Sequence, residues 1–305
     1  MSIPAGLENS KSRFRFPLVI FLAIIGAVCF LWGWLGSGRI VSPVRLRLSA
    51  VPSDLGLDWE PIPLKTSDGT ALSAWFLPHP KPRGALLLLH GYGACKEDLL
   101  DIAVGLRRKT PFHLLMLDFR AQGASEGRRV SFGHREVGDV EAALNWFGRR
   151  PGCQDLPVGC LGVSMGGAVA ILAALRFKTL QAVVVDSVYG DLAKTIARSQ
   201  WLTYHIPRVP LGQIALWGTE FRLRCRLKNL SPARLVSGLA PKPLLIIHGL
   251  SDVGVPVVEA EAVYQAARQP KQIWRVAGAA HASCYYVASE EYTNRVAEFF
   301  QNAFL

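Results

Sequence analysis

Leu161-Gly162-Val163-Ser164-Met165-Gly166-Gly167 is the stretch whose reading decides this chain. It ends an apolar run that begins at Val158, and it precedes Ala168-Val169-Ala170-Ile171-Leu172-Ala173-Ala174-Leu175, rich in good helix formers. The pattern predicts a strand that turns sharply into a helix, with Gly-x-Ser-x-Gly at the corner. Such a corner holds its serine on a strained backbone, so that the hydroxyl stands clear of the sheet. Gly162 and Gly166 lack side chains, which lets strand and helix close around the serine. Gly and Ser are common, so the five letters carry little alone. The strand before and the helix after carry the reading.

Outward from this corner the chain repeats the same alternation. Ala85–Leu89, His113–Leu117, Val158–Val163, Ala182–Val185, Leu244–Ile247 and Gln272–Val276 read as strands, and a turn at Ser67-Asp68-Gly69-Thr70 introduces another at Ala71–Leu77. Continuous apolar strands belong to a parallel sheet covered on both faces. Val137, Val140, Leu144 and Phe147 recur at helical spacing, as do Tyr292, Val296, Phe299 and Ala303. The expected fold class is α/β, a mostly parallel central sheet with helices on both faces.

A serine hydroxyl is a poor nucleophile until a base takes its proton, and that base needs an orienting carboxylate. Two residues downstream of Ser164 follow apolar strands in the required order. Asp252 stands in His248-Gly249-Leu250-Ser251-Asp252-Val253-Gly254-Val255-Pro256, and His281 in Gly278-Ala279-Ala280-His281-Ala282. Asp186, after the strand that ends near Val185, is a second candidate carboxylate. An oxyanion hole needs two backbone N–H groups. Met165 is expected to supply one, and Tyr92, in His90-Gly91-Tyr92-Gly93, the other. His90 and His248 end strands beside glycine and read as loop supports; His79, His113, His134 and His205 have no catalytic context.

These motifs, with Asp118-Phe119-Arg120-Ala121-Gln122-Gly123-Ala124-Ser125-Glu126-Gly127, resemble an α/β-hydrolase over about Asp58 to the C-terminus. The closest resemblance is to membrane-anchored α/β-hydrolase domain proteins related to serine aminopeptidase-type and esterase-type hydrolases. It implies a serine hydrolase with Ser164, Asp252 and His281 as catalytic residues, acting on a small-molecule acyl substrate, with no metal and no organic cofactor. Carboxylic esters or thioesters are the expected substrates. A peptidase for small amide or aminoacyl substrates is the alternative, and a catalytically inactive binding module is the alternative of another class.

Between Arg15 and Arg39 lie 23 uncharged residues. A helix of that length spans roughly 34 Å, against about 30 Å for a bilayer core. A cleaved signal peptide is the competing reading, but its apolar region is usually shorter, about 7–15 residues. Lys11, Arg13 and Arg15 on one side face Arg39, Arg45 and Arg47 on the other, so the charge rule is close to a tie. The main domain is expected on the non-cytoplasmic side. The boundaries read as a basic segment over 1–16, a transmembrane anchor over 17–37, a linker and first strand over 38–57, and the hydrolase domain over 58–305.

The net charge is +11, which favours an anionic surface or ligand. No compact Lys/Arg block and no nucleic-acid module is present, so a nucleic-acid role is not expected. The six cysteines form no Cys-x-x-Cys pair and no zinc spacing; a Cys153–Cys160 disulfide is the one pairing considered. About residues 190–240, some fifty residues separate two strands where a simple crossover needs far fewer. This insertion reads as a cap over the sheet edge. It carries Trp201, Tyr204, Trp217 and Phe221, read either as packing or as an acyl pocket. Its basic run, Arg222-Leu223-Arg224-Cys225-Arg226-Leu227-Lys228, reads either as a solvated face or as one turned to a membrane. The oligomeric state is not legible.

Overall fold

The computed structural model describes residues 10–46 and 49–305, with side chains from residue 18 onward. Residues 1–9 of the basic N-terminal segment, and the side chains of Lys11, Arg13 and Arg15, lie outside the described residues. Eight strands form one sheet: β1 (Glu60–Lys65), β2 (Ala71–Leu77), β3 (Gly84–Leu89), β4 (Phe112–Leu117), β5 (Val158–Val163), β6 (Leu180–Asp186), β7 (Leu244–Gly249) and β8 (Lys271–Val276). The spatial order is β1-β2-β4-β3-β5-β6-β7-β8. β2 is antiparallel to β1 and β4, and every pairing from β4 to β8 is parallel.

The helices are α1 (Ser10–Val41), α2 (Leu100–Lys109), α3 (Glu136–Phe147), α4 (Met165–Arg176) and α5 (Leu192–Tyr204). They continue as α6 (Gln213–Leu223), α7 (Pro232–Leu235), α8 (Val257–Ala266), α9 (Cys284–Val287) and α10 (Ser289–Ala303). Alternation along the strands sorts the core into two layers. Leu87, Leu89 and Leu115 join α3, α4 and α8 through Val140, Ala168 and Val263. Leu86, Leu88, Leu114 and Met116 join α2 and α10 through Leu106 and Val296. Both faces are covered, which is why β3, β4, β5 and β7 read as unbroken apolar runs.

Two expectations are corrected. Among the described residues of 38–57 no strand forms. The described residues there form a short turn at Pro52–Leu55, and β1 begins at Glu60. Pro43 and Pro52 interrupt the stretch, and Arg45 holds it to the surface, donating to the carbonyls of Gly123, Ser125 and Gly127. The aromatics of the insertion form no enclosed acyl pocket; Trp217 and Phe221 line an open groove instead. Trp201, Tyr204, Trp217 and Phe221 are all more than half exposed. All six cysteines are free thiols, Cys153 and Cys160 included.

Candidate active site

β3 pairs with β4 on one side and β5 on the other, so consecutive connections leave its C-terminal end in opposite directions. That divergence opens a crevice at the carboxyl edge, the usual ligand position in such sheets. Ser164 follows β5, the His90–Gly93 loop follows β3, Asp252 follows β7 and His281 follows β8. All four converge on this edge.

Ser164 has φ 53° and ψ −115°, a left-handed backbone that a residue with a Cβ adopts only under constraint. The constraint is visible. Ser164 N–H donates to Asp186 O at 2.8 Å, and its own carbonyl accepts from Gly167 N–H at 3.0 Å. A Cβ on Gly162 would overlap the Gly166 carbonyl, and one on Gly166 would overlap the Leu89 carbonyl. The two glycines therefore permit a strand–helix approach that no other residue allows.

The Ser164 hydroxyl lies 2.9 Å from His281 Nε2. His281 Nδ1 lies 2.6 Å from Asp252 Oδ2 and donates to it. The second carboxylate oxygen accepts from Val255 N–H at 2.8 Å, which fixes the plane of the group. His248 Nε2 donates to the Val255 carbonyl at 2.8 Å and stands 3.6 Å from Asp252 Oδ2. His248 thus braces the loop that presents the acid. Asp252 is buried and the His281 ring is partly open, an arrangement in which the imidazole meets both the hydroxyl and incoming solvent.

Asp186 does not reach the imidazole. It is fully buried behind the corner, where Ser187 Oγ donates to its Oδ1 at 2.8 Å and in turn accepts from Ala282 N–H at 3.0 Å. Burial pushes its carboxyl above the ordinary range. The pair links the end of β6 to the residue after His281, a bracing position.

Met165 opens α4, so its N–H has no carbonyl four residues earlier within the helix. The Gly91 backbone abuts Ser164: a Cβ there would stand 3.5 Å from the Ser164 Cβ. His90, buried and held neutral by burial, shapes this loop. Its Nε2 accepts from Phe119 N–H at 3.1 Å, so Nδ1 carries the proton toward the Gly91 carbonyl at 2.8 Å. Gln122 Oε1 accepts from Gly93 N–H at 2.5 Å. The Asp118–Gly127 loop is tied to the same region, since Asp118 binds the Lys96 backbone N–H at 2.8 Å and its ammonium at 2.5 Å.

The side chain of Tyr92 does something that no sequence pattern indicated. It stacks on Phe132, ring centroids 5.5 Å apart, and its hydroxyl donates to the Ile40 carbonyl at 2.9 Å. Ile40 belongs to the last turn of α1. Burial pushes the phenol up to about 12, so it remains a donor throughout the neutral range. The partner is a backbone carbonyl fifty-two positions away, and only the fold brings the two together.

A family model described as serine aminopeptidase, S33, matches residues 80–214. The α/β-hydrolase domain-containing protein WAV2 of Arabidopsis thaliana is 28% identical over 233 residues, 72% of this chain and 71% of that protein. The uncharacterized protein YfhR of Escherichia coli is 25% identical over 282 residues, 89% of each chain. Among solved structures, an esterase of Pyrococcus furiosus superposes with a TM-score of 0.72 at 26% identity, covering 86% of this chain and 99% of that one. With the sheet order and the corner at Ser164, these likenesses define the class. The chain is a hydrolase of the α/β-hydrolase superfamily.

Proposed function

We propose that the protein is a serine hydrolase that cleaves carboxylic esters or thioesters through an acyl-enzyme on Ser164. The observation that carries this reading is the hydrogen-bonded chain from the Ser164 hydroxyl through His281 to Asp252, at 2.9 and 2.6 Å. As the Ser164 oxygen attacks the acyl carbon, its proton passes to His281 Nε2. Asp252 stabilises the imidazolium through Nδ1–H. The N–H groups of Met165 and Tyr92 receive the developing oxyanion. His281 then gives its proton to the departing alkoxide or thiolate. A water molecule, deprotonated by the same imidazole, attacks the acyl-enzyme; the bond to Ser164 breaks, the imidazolium returns the proton to the Ser164 oxygen, and the carboxylic acid leaves. No step calls for a metal or an organic cofactor. The likeness to the Pyrococcus furiosus esterase supports the ester preference. The aminopeptidase family model supports the second reading, a peptidase for small amides.

The hydrolase unit is taken as residues 58–305, with a cap over about 190–240. The apolar helix Leu18–Val41 is long enough to cross a bilayer, and we take it as an uncleaved anchor with the catalytic unit on the non-cytoplasmic side. Its end is part of the fold, which supports retention: Val41 is buried, and its carbonyl accepts from Val130 N–H at 2.8 Å.

The test is a fluorophosphonate probe followed by a panel of esters, thioesters and aminoacyl amides on the full chain. One label at Ser164 and turnover of esters or thioesters are expected. Turnover of the amides alone would transfer the assignment to the peptidase reading, and an unlabelled, folded protein would end both. Retention through alkaline carbonate washing tests the anchor, and protease accessibility in sealed vesicles tests its side.

A further inference from the structure

We infer that the corner between α5 and α6 is immersed in the bilayer beside α1, so that Ser164 draws its acyl ester from the lipid leaflet. This rests on the reading of α1 as a membrane anchor and of Ser164 as the nucleophile.

The first observation is how α1 and α6 lie together. A Cβ on Gly33 would stand 2.7 Å from Ile214, and one on Gly218 would stand 2.5 Å from the Ser37 hydroxyl. The Arg222 guanidinium lies 4.1 Å from the centre of the Trp34 ring, and Phe221 packs on the same ring at 5.4 Å. Gly33 meets Ile214, Ser37 meets Gly218 and Gly38 meets Arg222. The two helices therefore run parallel in close contact, as small residues allow.

Depth follows from this register. Gly33 lies about one turn, or roughly 6 Å, before residue 37, where the anchor ends. A bilayer core needs about 20 of the apolar residues that Leu18–Val41 supplies. The start of α6, and the turn Arg208–Gly212 that also touches α1, thus sit at the level of residues inside the span. A water-facing corner at that level would be expected to carry polar side chains. Instead Trp201, Leu202, Tyr204, Val209, Trp217 and Phe221 are exposed around it. Arg208 is exposed on this corner, with a stem long enough to carry its charge back toward the headgroups.

Charge changes where α6 leaves the span. Arg222, stacked on Trp34 near the end of α1, is followed by Arg224, Arg226 and Lys228. Arg224 and Arg226 line one groove with Trp217 and Phe221; Glu220, paired with Arg226 at 2.9 Å, is the acid there. Apolar rings on the membrane side and guanidinium groups at the exit match the order of acyl chains and phosphates in a leaflet.

The same corner reaches the catalytic edge. Arg198 Nε on α5 donates to the Val253 carbonyl at 2.7 Å, beside Asp252. At its other end α5 packs on the turn Arg208–Gly212, which also touches α1. α5 thus runs from the acid loop to the turn that rests on the anchor, and Trp201, Leu202 and Tyr204 at that end are exposed. An acyl chain leaving the leaflet along this face arrives at Ser164.

The test uses the full chain in phosphatidylcholine vesicles containing phosphatidylglycerol and a phospholipid with a photoactivatable acyl chain. Lipid adducts are expected within residues 201–221 as well as within 18–41. Adducts confined to 18–41 would overturn the immersed corner. Trp217→Ser with Phe221→Ser should lower turnover of a vesicle-borne long-chain ester at least tenfold relative to a water-soluble short-chain ester. Equal effects on the two esters would overturn entry from the leaflet. Fluorophosphonate labelling of the same samples separates the readings. A labelled protein without cap adducts keeps the hydrolase and loses the corner; an unlabelled protein with cap adducts does the reverse.

Discussion

At the carboxyl edge of the sheet, Ser164 N–H donates to the Asp186 carbonyl, Asp252 accepts from Val255 N–H, and Ala282, next to His281, donates to Ser187 Oγ. Between β6 and β7, by contrast, four large aromatic side chains stand in open surroundings. The edge is built on strands buried on both faces, so each loop leaves from a rigid end and one geometry is available to it. The insertion buries one side of α5 and α6 through Leu192, Ile196, Leu216 and Leu223, and α6 also rests on α1. Chemistry that tolerates errors of a few tenths of an ångström belongs on the first kind of support. A surface that must meet a fluid partner belongs on the second. On the proposed reading, the contrast separates where the bond is broken from how the substrate arrives.

The largest expected effect breaks the rigid side. Ser164→Ala should abolish fluorophosphonate labelling and lower turnover by up to about 10⁶-fold if the three residues act as a unit. Undiminished turnover in a pure preparation would sink the mechanism. Next come the two buried carboxylates. Asp252→Asn keeps the shape but loses the charge opposite the imidazolium, and should cost about 10⁴-fold in kcat. Asp186→Asn should cost far less and act through stability; a larger loss from Asp186→Asn in folded protein would exchange the two roles.

Asp186 also predicts a pH effect with a definite sign. Its folded-state pKa is raised by burial, so between the ordinary carboxylate range and that raised value the folded state holds more protons than the unfolded one. Stability contributed by this group is present at low pH and is lost as pH rises through the window. Thermal melts of the wild type and of Asp186→Asn should diverge in slope there, the variant being flatter. Parallel slopes would show that Asp186 does not titrate on unfolding.

Smaller effects probe the join between the two regions. Tyr92→Phe removes the bond to the Ile40 carbonyl, about 1 kcal/mol for a typical hydrogen bond, and should lower kcat two- to tenfold with KM little changed. Steady-state kinetics on the full chain decide it, and an unchanged kcat would show that the ring stack on Phe132 suffices to hold the loop. The smallest effect is expected at Trp201→Ser, an exposed position, where unfolding free energy should move by no more than about 0.5 kcal/mol. A cooperative loss of stability there would mean that the ring packs against protein after all.

Much of the rigid region was legible because its signals are local. Six apolar runs became β3 to β8, each within a residue or two at either end. The corner at Ser164 was readable from Gly162 and Gly166, whose missing side chains are the only ones the crossing backbones accommodate. The failures share a cause. The stretch 38–57 alternates enough to suggest a strand, but Arg45 binds it to carbonyls almost eighty positions away. The aromatics at 201–221 promised a pocket by composition, and composition does not say toward which side a ring points. Gln122 supporting Gly93, and Tyr92 reaching Ile40, left no trace of spacing or period.

Residue order by itself determined the α/β class, the strand-to-helix corner and the sequence Ser, Asp, His along the chain. Each depends on contacts between near neighbours or on a periodicity that a parallel sheet imposes. Tertiary structure decided which carboxylate meets His281, since Asp186 and Asp252 both end strands and only a distance of 2.6 Å separates the roles. It decided as well that the apolar N-terminal helix lies against α6 and that its last turn accepts a bond from Tyr92 in the loop after β3. Those contacts join segments far apart in the chain, and their free energy comes from close packing and burial that no local pattern encodes.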